Sequence, residues 1–158
     1  MRTSISRLVR ADAAVVFELA ARVEDWPRIL PHYRWVRLVD RTADHRTVEM
    51  AARRDVLPFA RVGVPLRWTA IQRLYPVAPR VEFEHVAGVT RGMHVAWTFE
   101  PRPDGQLHVA IWHEFNPRWP APSILVDLIV GEYFVNGVAR RTLKRICHLA
   151  GARARGRS

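Results

Sequence analysis

Two hydrophobic spacings alternate along the chain, and their order outlines a fold. Ile5, Arg7 and Val9 alternate with Ser6, Leu8 and Arg10, which predicts a strand over residues 3–10. Asp12 is a good N-cap, and Val15, Val16, Leu19, Ala20 and Val23 follow at helical spacing. Residues 24–30 read as a second short helix, stopped by Pro31. Period-two spacing then returns and persists. In 34–42, Val36 and Leu38 oppose Arg37 and Asp40; in 47–56, Val48, Met50, Ala52 and Arg54 share a face. In 64–74, Leu66, Trp68, Ala70 and Gln72 oppose Arg67, Thr69, Ile71 and Arg73. Pro76 and Pro79 break the chain. Val81, Phe83 and His85 then oppose Glu82 and Glu84, and Gly88 and Gly92 bracket the next connection. Met93, Val95, Trp97 and Phe99 oppose His94, Ala96, Thr98 and Glu100. Residues 101–105, Pro-Arg-Pro-Asp-Gly, are a strong hairpin signal, and Leu107, Val109, Ile111, His113 and Phe115 line the last strand. Strands joined this way form an antiparallel meander.

Pro117, Pro120 and Pro122 mark a loop, and Ser123 can cap a long helix over 123–149. Its apolar stripe includes Ile124, Leu128, Val135, Val138, Leu143, Ile146 and Leu149. Gly131 and Gly137 inside it leave room for a ligand or for close sheet packing, and Gly151 is the expected stop. No repeat, linker or second domain is visible. The expected organisation is one α+β domain over 1–150 and a basic, disordered tail over 151–158. A curved sheet around one long helix often encloses a cavity, so the order of elements points to a binder of hydrophobic small molecules.

With 158 residues, 49% of them hydrophobic, the chain can bury a real core, which excludes a disordered protein. It has no apolar run long enough to span a bilayer and no signal-peptide pattern at Met1 to Ser4, so a soluble, cytoplasmic protein is expected. The single cysteine, Cys147, reads as packing on the helix. The net charge is +10, and Lys144 is the sole lysine among the cations. Arg140, Arg141, Lys144, Arg145, Arg153, Arg155 and Arg157 crowd the C-terminus. One reading is a solvated helix face with a frayed basic tail. The other is docking to an acidic carrier protein, a ribosome or an anionic membrane. Solvation is preferred, because charge runs usually are solvated faces. No specific nucleic acid is expected.

There is no GxGxxG with a suitable acidic residue, no Walker-type loop and no HExxH. The seven histidines lack paired ligand spacing, so neither a metal nor another cofactor is expected. No Ser-His-acid arrangement stands out. What remains is the face defined by strand parity. If it points inward, a cavity meets Trp68, Trp97, Phe83, Phe99, Ile111 and Phe115, with Arg54, Gln72, His85 and His113 as sparse polar groups. Any one of these aromatics is more often simple core, but a single helix does not easily fill a broad curved sheet. His113 is either a hydrogen-bonded interior residue or a base titrating near neutrality. Glu114 points the other way and forms no dyad with it. His85 has the same status. An inward Arg54 either meets an anionic or carbonyl-bearing ligand or reaches the wet rim.

In order and spacing, several pieces resemble the START-like (SRPBCC, helix-grip) superfamily, and more narrowly the bacterial polyketide aromatase/cyclases. They are Val16-Phe17, Trp26-Pro27 through Tyr33, Trp97-Thr98-Phe99, His113-Glu114-Phe115 with the prolines to Pro122, and Asn136 four residues before Arg140. The resemblance covers residues 4–149 and implies a seven-stranded antiparallel sheet, two short helices after the first strand and a long C-terminal helix over a deep cavity. It implies aldol cyclisation and dehydration of a poly-β-ketone tethered to an acyl carrier protein. By position it places Trp26, Tyr33, Trp68, Trp97, His113 and Asn136 on the cavity, with Tyr33 donating a proton or orienting a carbonyl and His113 taking a proton. The cyclases carry an interior arginine where this chain has Gln72, and a second near His85; Arg54 is the candidate replacement. Residues 29–31 and the apolar helix also resemble the coenzyme-Q-binding and ribosome-associated members of the superfamily. That resemblance implies non-catalytic lipid or prenylquinone carriage, and a ligand sensor or complex subunit is a third reading.

Overall fold

The computed structural model describes residues 1–55, 63–117, 120, 122–126, 135 and 137–156; the side chains of 54, 55, 63, 64, 125 and 126 lie outside the description. Strand β1 (Arg2–Val9) leads to helix α1 (Ala13–Ala21), a 3₁₀ turn (Val23–Asp25) and the single-turn helix α2 (Trp26–Ile29). Asp12 caps α1 by accepting a hydrogen bond from the Ala14 amide at 3.0 Å. The two short helices are therefore present. The second is briefer than residues 24–30, because the chain tightens into the 3₁₀ turn before Pro27.

Strands β2 (Tyr33–Arg41), β3 (Arg46–Asp55), β4 (Gly63–Tyr75), β5 (Arg80–Gly88), β6 (Met93–Pro101) and β7 (Leu107–Phe115) follow. All neighbours pair antiparallel in one sheet of seven strands, ordered β1-β7-β6-β5-β4-β3-β2. The meander closes with β1 beside β7, so β1 and β2 are the sheet edges. Parity decides the faces as the sequence requires. Val81, Phe83 and His85 on β5, Met93, Val95, Trp97 and Phe99 on β6, and Leu107, Val109, Ile111, His113 and Phe115 on β7 are buried. Leu38 is not: the register shifts between Leu38 and Asp40, and Leu38 remains 43% exposed.

Gly88 shapes the middle of the sheet. Its φ is +90°, and a Cβ there would lie 2.5 Å from the Arg67 carbonyl oxygen and 2.9 Å from the Trp68 Cα. Glycine thus lets β5 close on β4 where Trp68 pairs with Gly88, and the register then shifts so that Ala70 pairs with His85.

The C-terminal helical region is described in parts. Helix α3 spans Ser123–Val126, and a widened helical turn at 137–139 runs into α4 (Arg140–Arg155). Helix α4 lies against β1 and α1 and buries Thr142, Leu143, Ile146, Cys147, Ala150 and Gly151. Gly151 is not the stop the sequence predicts. It packs 3.5 Å, measured from where its Cβ would be, from a methyl of Val9, and the helix continues to Arg155. Residues 151–155, expected in a disordered tail, are therefore helical. This is a helix-grip fold.

Candidate functional site

The inner sheet face, α2 and the turn before α4 converge on one aromatic cluster. Trp26 enters it from α2, held by a 3.0 Å hydrogen bond from its indole nitrogen to the Leu19 carbonyl. Its ring lies 5.0 Å from Tyr33, edge-on, and 6.4 Å from Trp97. Tyr33 in turn meets Trp68 at 6.0 Å, and Trp68 stacks on His85 at 5.9 Å with the planes 14° apart. These spacings are those of favourable edge-to-face and offset-stacked pairs.

A cavity of about 30 Å³ remains among these rings. That is room for about one water molecule. Trp26, Tyr33, Trp68, His85, Trp97, Ile111 and His113, all named from the sequence, line it together with Phe83. A ligand larger than water must displace lining side chains to enter. Met50, Val95, Val138, Ala139 and Thr142 complete the described lining. Thr142 carried a legible signal, a polar residue four places after Val138 on the apolar stripe.

Thr142 organises the polar side of the cluster. Its hydroxyl donates to the Val138 carbonyl at 2.9 Å and lies 2.9 Å from Nε2 of the buried His32. It also adjoins the Tyr33 phenol, where it partly offsets the effect of burial. Burial nevertheless pushes the Tyr33 pKa above the usual tyrosine range, so the phenol stays protonated and can donate a hydrogen bond. Opposite, Nδ1 of His85 lies 2.7 Å from the Thr90 hydroxyl.

The buried His32, His85 and His113 do not titrate near neutrality. Burial lowers His113 to about 4, and burial with the nearby His113 and His94 lowers His85 to about 3. His32 falls to about 4 through burial and the Arg141 charge. Each is a neutral imidazole at pH 7, which favours the interior-residue reading of His113 over a base titrating near neutrality.

Gln72 does not reach this cavity. It is 1% exposed, but its amide nitrogen donates to the Ala21 carbonyl at 2.9 Å and its oxygen accepts from Arg46. Arg46 also holds the Ala21 carbonyl at 2.8 Å and pairs with Glu24. Arg46 is thus an interior cation among the described residues, and it ties β3 and β4 to the end of α1. The sequence reading missed it because Arg46 precedes the expected strand. The Arg54 side chain and Asn136 lie outside the described residues. Among the described residues no group of three or more His, Cys, Asp or Glu could hold a metal ion, and no helix is long and apolar enough to cross a membrane.

Residues 9–140 match the family described as polyketide cyclase / dehydrase and lipid transport, and the chain belongs to that family. No curated protein matches it. Among solved structures it is similar to Zhui aromatase/cyclase from Streptomyces sp. R1128, with a TM-score of 0.74 and 18% identity over 98% of this chain and 95% of that one. A START superfamily protein from Mycobacterium smegmatis gives 0.65 at 14% identity, covering 94% of this chain and 98% of the other. The di-domain ARO/CYC BexL from the BE-7585A biosynthetic pathway gives 0.68 at 25% identity, over 94% of this chain and 45% of BexL. These likenesses establish the shared helix-grip fold.

Proposed function

We propose that this chain acts as a polyketide cyclase/dehydrase, closing and dehydrating a ring on a poly-β-ketone that is presented by an acyl carrier protein. One observation carries the reading: a protonated Tyr33 and the neutral His113 and His85 share a cavity whose described walls, apart from the Thr142 hydroxyl, are aromatic and aliphatic. Flat, partly enolised polyketones stack on such walls, and sparse polar groups orient their carbonyls.

In this reading His113 takes a proton from a methylene flanked by two carbonyls, which is acidic enough for a weak base. The resulting carbon attacks a ketone carbon further along the chain and forms the ring bond. The ketone oxygen, hydrogen-bonded by Tyr33, receives the proton that His113 removed and becomes a hydroxyl, which restores the neutral imidazole. Loss of a ring proton and of that hydroxyl as water leaves the double bond. No electrons enter or leave, so no redox partner is required. The roles of Trp26, Trp68, Trp97, Ile111, Arg54 and Asn136 as ligand contacts belong to the same proposal.

Carriage of a lipid or prenylquinone is the second reading, favoured by a lining that holds no charge among the described residues at neutral pH. Native mass spectrometry of freshly purified protein, with organic extraction, separates the two. An aromatic polyphenol or an empty cavity, followed by ring formation that Tyr33→Phe and His113→Ala abolish, supports the cyclase. A stoichiometric prenylated or long-chain lipid, or ring formation unchanged in both variants, overturns it.

A further inference from the structure

The cationic C-terminus acquires a shape that the sequence does not give it. Helix α4 presents Arg141, Lys144, Arg145 and His148 to solvent along one side, and Arg7 on the edge strand β1 and Arg10 just after it lie opposite them. Between them runs a groove of about 640 Å³, continued by Arg155 and lined, among the described residues, by no carboxylate. Its cations come from two elements more than a hundred residues apart in sequence, so the solvated-face reading of one helix does not account for it. Arg7 is close enough to Cys147 to draw its thiol pKa down against burial, and Arg145 is braced by a 3.2 Å hydrogen bond to the Ile29 carbonyl.

The floor is apolar. Leu8 is 51% exposed there, and Val9, Cys147 and Gly151 complete it. Along α4 the cations from 141 to 155 extend over about 21 Å at ~1.5 Å per residue.

We propose that this groove seats an acidic amphipathic helix of a partner protein, apolar face on Leu8 and Val9 and carboxylates against the two cationic rims. Helix-in-groove recognition needs this combination of apolar floor and complementary charge. Single-stranded nucleic acid fits less well, because the described lining offers no Trp, Tyr or Phe as a stacking platform. A bilayer surface fits less well, because the cations line two sides of a groove rather than one flat face. The groove and the cavity share no described lining residue, so the proposal does not depend on what the cavity holds.

The test is fluorescence anisotropy on the full chain with a labelled helical peptide about as long as the groove, leucines on one face and glutamates on the other. Expected are salt-sensitive binding, a loss of about tenfold or more in Arg7→Glu/Lys144→Glu, a smaller loss in Arg7→Gln/Lys144→Gln, and no change in Arg34→Glu on the far sheet edge. Because the altered residues are exposed, circular dichroism melts should match wild type, and the glutamine pair carries the test if the reversal misfolds. Equal binding by both variant pairs, or equal binding of a peptide of the same composition with its leucines scattered, overturns the proposal. So does tighter binding of polyuridylate or phosphatidylglycerol vesicles that the same substitutions abolish.

Discussion

The Trp68 indole lies almost parallel to the His85 imidazole, 14° from coplanar at 5.9 Å, across a register shift that Gly88 permits. The pair forms one wall of the cavity and fixes both rings by mutual packing. Trp68→Ala is expected to cost roughly 3–5 kcal/mol, and Trp68→Phe far less, since a ring still faces His85. Urea unfolding of both variants at neutral pH checks this, and equal midpoints for the two would contradict it.

Stability should fall in acid through the buried histidines. His85 at about 3 and His113 at about 4 both lie below the ordinary histidine value of 6.5. Between those values the unfolded chain binds protons that the folded chain does not. Their contribution is thus complete above about pH 7 and is lost as pH falls through about 6.5 toward 4, with a slope of at most about 1.4 kcal/mol per pH unit per histidine. Denaturation midpoints measured across that window should decline, and more shallowly in His113→Gln. A flat profile would sink the assignment.

Gln72 should matter for folding and not for ligand. Gln72→Leu removes the acceptor for Arg46 and the donor to the Ala21 carbonyl, at a cost of roughly 1.5–3 kcal/mol. Titration with 1-naphthol, followed by fluorescence, should give an affinity within about twofold of wild type, because the side chain is outside the cavity.

Two glycines with positive φ should respond differently to alanine. At Gly88 the new methyl meets backbone at 2.5 Å, so Gly88→Ala should destabilise by more than about 1 kcal/mol and shift tryptophan emission as Trp68 moves. At Gly105, φ +77°, the nearest atom is the end of Arg10 at 3.9 Å, so Gly105→Ala should show backbone strain alone and a smaller loss. Equal losses in thermal unfolding would argue against the close approach.

Thr142→Val should leave Nε2 of His32 without its partner at a cost of about 1–3 kcal/mol, and Thr142→Ser should recover most of it. A valine variant as stable as wild type would remove Thr142 from its organising position.

Much of the fold was legible because strand faces follow from a local rule. Successive side chains point to opposite sides whatever the strand pairs with, so Val81, Phe83, His85 and Met93, Val95, Trp97 announced the buried face. The same rule gave Trp68, Phe83, Trp97 and Ile111 of the cavity lining, but it also put Phe99 and Phe115 there, which are buried outside it, and it did not give Trp26 or Tyr33, which came from the family resemblance. It failed where side-chain length and partner decide the outcome. Gln72 has the right parity for the cavity, yet Arg46, 26 residues earlier, captures it.

Sequence alone thus determined the succession of elements, the inward faces and the excess of arginine, all properties that neighbours within a few residues set. Tertiary structure decided the rest. It brought His32 to Thr142 across 110 residues and set β1 beside α4 so that separate arginines line one groove. It also buried the histidines deeply enough that they stay neutral. Desolvation, charge proximity and enclosure depend on distances in space, which spacing along a chain does not encode.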